Sequence, residues 1–287
     1  LPPLFTLMNR ILATKLEQCR TLPTPPSIAM RIVDLAEDPE TGIVEMAEVL
    51  EQDPAMTARM LRIANSALYA QRRKVNNLRQ AVMLLGLNGV MSLALGFSLL
   101  GSFAVDAKAS AVLEKIYHRA ILSGEIARDL GQRLGVPSPD SLFISGILQD
   151  VGVLALIRIY GAEYTELLDK ADSHQELSNH ETATLGHDHA EIGAWLIQRW
   201  HIPAEIQNDI RYSHDTSGWE SSEEGAMRLF AVALSGLIAD VWLEQDKESA
   251  LQRVHSVAES WPDLGHNEFS AAVNAVGERM TDLQELY

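Results

Sequence analysis

Any chemistry in this sequence rests on histidine and carboxylate side chains. The 287 residues include nine histidines and 39 Asp and Glu. His187-Asp188 and His214-Asp215 are contiguous His-Asp pairs, while His118 and Asp150 stand alone. Imidazole and carboxylate together can hold a divalent transition metal, which acidifies a bound water and shields charge developing on a phosphate. The plainer reading of His118 and Asp150 is a hydrogen bond between helices. Asp188 reads as a residue at a helix start, facing free backbone N–H groups. His174, His180, His201, His255 and His266 have no convergent partners in the sequence and read as surface residues. No Walker loop, GxGxxG or GxSxG is present. The single cysteine, Cys19, excludes an intrachain disulfide and a cysteine-based zinc site, so a reducing, cytoplasmic setting is expected.

The elements that would carry these groups are helical. Hydrophobic residues make up 47% of the chain, enough for a sizeable core, and period-2 runs rich in Val, Ile and Thr are scarce. Apolar steps of three and four residues predict helices over 4–20, from Ser27 (as cap) to Leu35, 43–50, and 55–64, the last capped by Asp53 with Pro54 in its first turn. Further helices are expected over 78–85, 89–104, 110–134, 139–157, 162–171, 180–199, 203–213, 223–245, 247–258 and 266–284. Residues 80–105 carry no charge, but Leu85-Gly86-Leu87-Asn88-Gly89 interrupts them, which predicts two buried helices meeting at a turn rather than a membrane span. The length suits two domains, placed at 1–107 and 108–287. The formal net charge of -16 opposes binding to a phosphate backbone or an anionic bilayer. Arg59, Arg62, Arg72, Arg73, Lys74 and Arg79 form a local basic cluster beside a helix–turn–helix-like stretch at 44–66, so DNA binding stands as an alternative. Pairing of those arginines with Glu48, Glu51 and Asp53 is the plainer reading.

Several segments occur together in one order: Leu22-Pro23-Thr24-Pro25-Pro26, Gln52-Asp53-Pro54, Leu61 to Tyr69 (LRIANSALY), Gln80 to Gly86 (QAVMLLG), Ser145 to Gly152 (SGILQDVG), and His189 to Ala194 (HAEIGA) up to Trp200. Over about 16–215 the chain thereby resembles the HDOD (HD-related output domain) family. That resemblance implies an all-α fold, with an N-terminal helical subdomain packed on a C-terminal HD-like bundle. It also implies a regulatory output role, downstream of a receiver or cyclic-dinucleotide domain. The sequence opens on Leu1, which fits a piece trimmed of such a partner.

The same resemblance places a degenerate HD metal motif at His118, Gln149-Asp150 and Asp240, with His189 and His214 similar to the extra histidines of two-metal relatives. Gln149 stands where the motif has histidine, and a neutral amide is a much weaker ligand than imidazole. The Gly-Tyr-Pro extension of HD-GYP phosphodiesterases is missing after His214. The expectation is therefore a non-catalytic module with no cofactor, acting by contact with other signalling proteins. A residual divalent transition-metal site, or a metal-dependent phosphohydrolase, is the alternative. Asn65, Ser66, Tyr69, Arg72, Arg73 and Lys74 form the candidate interaction surface, although Asn65 and Ser66 can equally satisfy the last carbonyls of their helix.

Overall fold

The computed structural model of the chain describes residues 10–19, 22, 26–38, 40–65, 74–101, 110–171, 173–215, 224–244 and 246–259. The expected helix over 266–284, and Ser66, Tyr69, Arg72 and Arg73, lie outside them. The described residues form helices and no strand, as an all-α composition demands. They fall into two compact units, one containing α1 (Arg10–Gln18) together with residues 110–259, the other residues 26–101. Helix α1 thus groups with the larger unit and not with the stretch that follows it. Leu16 is buried there, and the Lys15 ammonium stands 4.2 Å from the centre of the Tyr160 ring.

The smaller unit contains α2 (Ser27–Glu37), α3 (Ile43–Leu50), α4 (Pro54–Ala64), α5 (Leu78–Leu85) and α6 (Leu87–Gly101). Ser27 is already helical and makes no side-chain cap; Pro26 precedes it. Asp53 does cap α4, accepting from the N–H groups of Ala55 and Met56, with Pro54 as the first helical residue. Of the nearby arginines, Arg59 lies over the Phe97 ring. Helices α5 and α6 break at Gly86 with a bend of 111°. Asn65 closes α4 and bonds the main chain of Val75. Its Nδ2 donates to the carbonyls of Leu61 (2.7 Å) and Val75 (2.8 Å), and its Oδ1 accepts from Val75 N–H (2.8 Å). The amide is thus spent on its own chain.

The larger unit continues with α7 (Ser110–Leu134), α8 (Pro139–Leu148), α9 (Val151–Tyr160), α10 (Ala162–Lys170), α11 (His174–Leu185), α12 (His189–Arg199), α13 (Ala204–Arg211), α14 (Glu224–Leu243) and α15 (Lys247–Glu259). Its core is α7 packed on α8 and α14, with α12 against α9 and α13, and α15 on α14. Two stretches, Pro139–Tyr160 and Gly225–Leu243, are long and apolar enough to cross a membrane, yet 83% and 67% of their apolar windows are buried inside the unit. Here their apolarity serves the core.

Two expected helices are each divided. The 139–157 helix breaks at Gln149 and Asp150, so Asp150 is the residue just before α9. The 180–199 helix is two elements, α11 and α12, parted by Gly186-His187-Asp188. Gly186 adopts left-handed backbone there and Asp188 caps α12 by accepting from Glu191 N–H. Both breaks put side chains of the candidate site at helix ends.

Candidate metal centre

Asp150, His174, His189 and His214 come together, each offering one ligand atom, and these four atoms lie within 4.8 Å of one another. Each arrives on a separate element: Asp150 before α9, His174 at the start of α11, His189 at the start of α12, and His214 just after α13. The Nε2 atoms of His189 and His214 are 2.7 Å apart, and those of His174 and His189 3.1 Å. Asp150 Oδ1 is 2.9 Å from His174 Nε2, 3.6 Å from His189 Nε2 and 3.7 Å from His214 Nε2. Four donors around a zinc-class ion at about 2.0–2.1 Å would be separated by about 3.3 Å, and the observed spacings straddle that value.

His189 is oriented from behind. Its Nδ1 faces Glu181 Oε2 at 2.6 Å, and the same oxygen accepts the His189 backbone N–H at 2.8 Å. The Nδ1 proton therefore points to Glu181 and Nε2 points into the cluster, an arrangement usual for metal-bound imidazole. Glu181 is fully buried and also accepts from the Tyr164 hydroxyl. Burial and the Glu181 charge push the Tyr164 pKa well above its usual value. Gly152 permits this geometry. A Cβ there would fall on the His189 carbonyl oxygen and 2.8 Å from Gly193 N, so α9 approaches α12 backbone to backbone.

Charge is arranged unevenly across the cluster. Burial disfavours the His189 cation, but Glu181 and Asp150 outweigh it and raise its pKa to about 10. His214 is pushed down to about 4 by burial and by the neighbouring His189 charge. The two neighbouring rings are thus driven in opposite directions, His189 toward its charged form and His214 toward its neutral one.

The set inferred from the family resemblance is only partly assembled. Asp150, His189 and His214 converge; His118 is not in the cluster, and the expected His118–Asp150 hydrogen bond is replaced. The neighbouring residue, Arg119, takes its place. Its guanidinium, buried and anchored on α7, bonds Asp150 and makes two bonds to Asp240, at 2.7 and 3.2 Å. Burial works against that cation, but Asp150 and Asp240 raise its pKa above the usual arginine value. Conversely, burial pushes Asp150 upward, yet Arg119 and then His174 hold it well below the carboxylate range. Gln149 donates Nε2 to the Gly146 carbonyl at 3.1 Å, and its buried Oε1 has no hydrogen-bond partner. A Cβ at Gly236 of α14 would lie 2.7 Å from both Arg119 Nη2 and Gln149 Oε1, so only glycine leaves room for them. Arg119 lies between Asp150 and Asp240 and bonds both, so an ion shared by those two carboxylates does not fit.

His174 is the residue that sequence reasoning missed. Read as a surface histidine, it is half-buried and bonded to Asp150. The signal was Ser173-His174-Gln175-Glu176, a capping pattern that starts a helix at 174 and sets His174, Leu177 and Glu181 on one face. Arg119 was obscured for another reason. It shares a face with Ile116, Ser123, Ile126 and Leu130, the buried side of α7, where an arginine is not expected.

An all-helical bundle that gathers a histidine–aspartate cluster at its helix ends is the class of protein these elements define. Residues 22–216 match the HDOD domain family model, and the chain belongs to that family. A Treponema pallidum protein of undescribed function is 27% identical over 217 residues, which cover 73% of this chain and 41% of that protein; the chain therefore spans about two fifths of that relative's length. An HDOD domain protein of Geobacter sulfurreducens, of unknown function, superposes with a TM-score of 0.74 at 23% identity, covering 96% of this chain and 99% of that one. A Shewanella amazonensis structure, provisionally designated a phosphohydrolase, gives 0.72 at 23% identity, covering 98% and 100%. These likenesses establish the shared fold.

Proposed function

We propose that this chain is a regulatory output module that works by contact with other signalling proteins and catalyses no phosphoester hydrolysis. The observation that carries the reading is Arg119 between Asp150 and Asp240. A guanidinium neutralises two buried carboxylates, but it cannot bind or acidify a water as a metal does. Gln149 supplies no imidazole to that position. The cluster that remains has four protein donors, and a zinc-class ion held by four protein ligands keeps no position for a reacting water. The partners in this reading are a receiver or other sensory domain and a downstream signalling protein. In this reading Ser66, Tyr69, Arg72, Arg73 and Lys74 are the residues that make the contact. The competing reading, a metal-dependent phosphohydrolase, draws support from the same His174, His189, His214 and Asp150 cluster. Hydrolysis of bis(p-nitrophenyl) phosphate and of a cyclic dinucleotide, with Mn, Fe, Zn or Mg supplied, separates the two. No turnover above buffer is expected; turnover that is lost in Asp150→Ala overturns the non-catalytic reading.

A further inference from the structure

The hairpin of α10 and α11 is attached to its unit in an unusual way. Tyr164 is the only fully buried side chain of α10, and α11 buries Leu177, Ser178 and Glu181. Its ties are mostly polar. Ser178 donates to Asp188 at 2.9 Å, Glu181 holds His189 through two bonds, and His174 meets Asp150 and His189. The His174 backbone N–H also lies against the Glu244 carboxylate at the end of α14. Apolar burial is the main source of helix docking strength, and this hairpin has little of it. Three of the four clustered donors, Asp150, His189 and His214, belong to the bundle. The fourth, His174, belongs to the hairpin.

We infer that a single transition-metal ion of the zinc class, bound by Asp150, His174, His189 and His214, latches the α10–α11 hairpin to the bundle, so that metal supply is an input to this module. The donor set favours such an ion: three imidazoles and one carboxylate suit zinc, cobalt or iron and not magnesium or calcium, which take oxygen ligands. Glu181 fixes the ring of His189 in the ligating orientation. Arg119 fills the adjoining site, which limits the centre to one ion. With the ion in place, His174 is bonded to the bundle through a metal–nitrogen bond. Without it, the hairpin is held by hydrogen bonds and two buried hydrophobic side chains, and opens more readily. The metal thereby sets how much of the hairpin's inner face is available to a partner, which requires no bond to be made or broken in a substrate.

The test is hydrogen exchange on the full chain, first stripped with EDTA and then loaded with zinc, with cobalt as a spectroscopic probe. Binding of one ion per chain is expected, with the intense visible absorption of four-coordinate cobalt. Amides of 162–185 should then exchange at least tenfold more slowly, while those of α8 change less than twofold. His174→Ala keeps three bundle ligands; it should retain weakened metal binding and lose the metal-dependent protection of the hairpin. His214→Ala should weaken binding without severing the hairpin's own ligand. Zinc bound at one per chain with no change over 162–185 refutes the latch and leaves the metal site standing. Absence of binding refutes both. A His174→Ala hairpin that still responds as the unaltered protein does places the latch elsewhere. None of these results bears on hydrolysis, so the non-catalytic reading is judged separately.

Discussion

Removing the Arg119 charge is the perturbation whose cost the structure specifies best. Arg119→Met keeps much of the side-chain volume but leaves Asp150 and Asp240, both nearly inaccessible to water, without their shared cation. Breaking a buried ion pair by deleting one partner typically costs about 3–5 kcal/mol, because the remaining charge stays buried and uncompensated. Here one cation serves two carboxylates, so the upper part of that range is expected. For a unit of about 150 residues, each kcal/mol lowers Tm by about 2–4 °C, so the loss should be on the order of 10 °C by calorimetry. Lysine should not restore it, since a single ammonium cannot reproduce the paired bonds to Asp240. The pH dependence has a definite sign. In the unaltered protein the Asp150 carboxyl is held low, so its contribution is present above the ordinary carboxylate range and fades only as pH falls through the lowered value. In Arg119→Met the largest of the influences that hold that carboxyl low is gone, leaving His174 and His189 alone against burial. The carboxyl therefore moves up, and the deficit, full at neutral pH, shrinks as acid protonates Asp150. A deficit below about 2 °C, or one that does not shrink with acid, would refute the view that Arg119 is the counter-charge of this centre.

Three further outcomes are expected. Gly152→Ala forces a methyl onto the His189 carbonyl and should cost at least the ~1–3 kcal/mol of an overpacked core, seen as a lower urea midpoint together with weaker zinc binding. Glu181→Gln should reduce zinc affinity by about 10–100-fold through loss of the partner that orients His189, measured by competition with a chelator; unchanged affinity would remove Glu181 from the site. Asn65→Ala should destabilise the smaller unit by about 1–3 kcal/mol as the N–H and carbonyl of Val75 lose their partners, read by exchange of the α4 and α5 amides.

Much of the fold was legible because helix signals are local. The spacing of apolar residues, the Asp53-Pro54 start and the Gly86 break lie within a few residues of what they determine, and the structure agrees there. The site was legible in part for the same reason. Asp150, His189 and His214 were marked by the motifs around them, and Asp188 by its place before a helix. What escaped was decided at a distance. Arg119 meets Asp240 across 121 residues, and no periodicity reveals that a buried arginine has two carboxylates waiting. His118 drew attention through its type, but one position along a helix turns a side chain by about 100°, enough to take it out of the site. His174 was hidden because the polar sequence of α11 carries weak amphipathic signal, its buried face being made largely of Ser178 and Glu181.

The Asn65 clamp has a consequence of a different kind. One side chain joins both ends of the segment from Ser66 to Lys74, through the main chain of Val75. The bonds that shut the segment do not depend on the identity of anything within it. Lengthening a closed segment twofold adds only about 0.6 kcal/mol of closure entropy. Evolution, or a protein engineer, can therefore rewrite the residues between Asn65 and Val75 as an interchangeable cassette while the helices on either side keep their register.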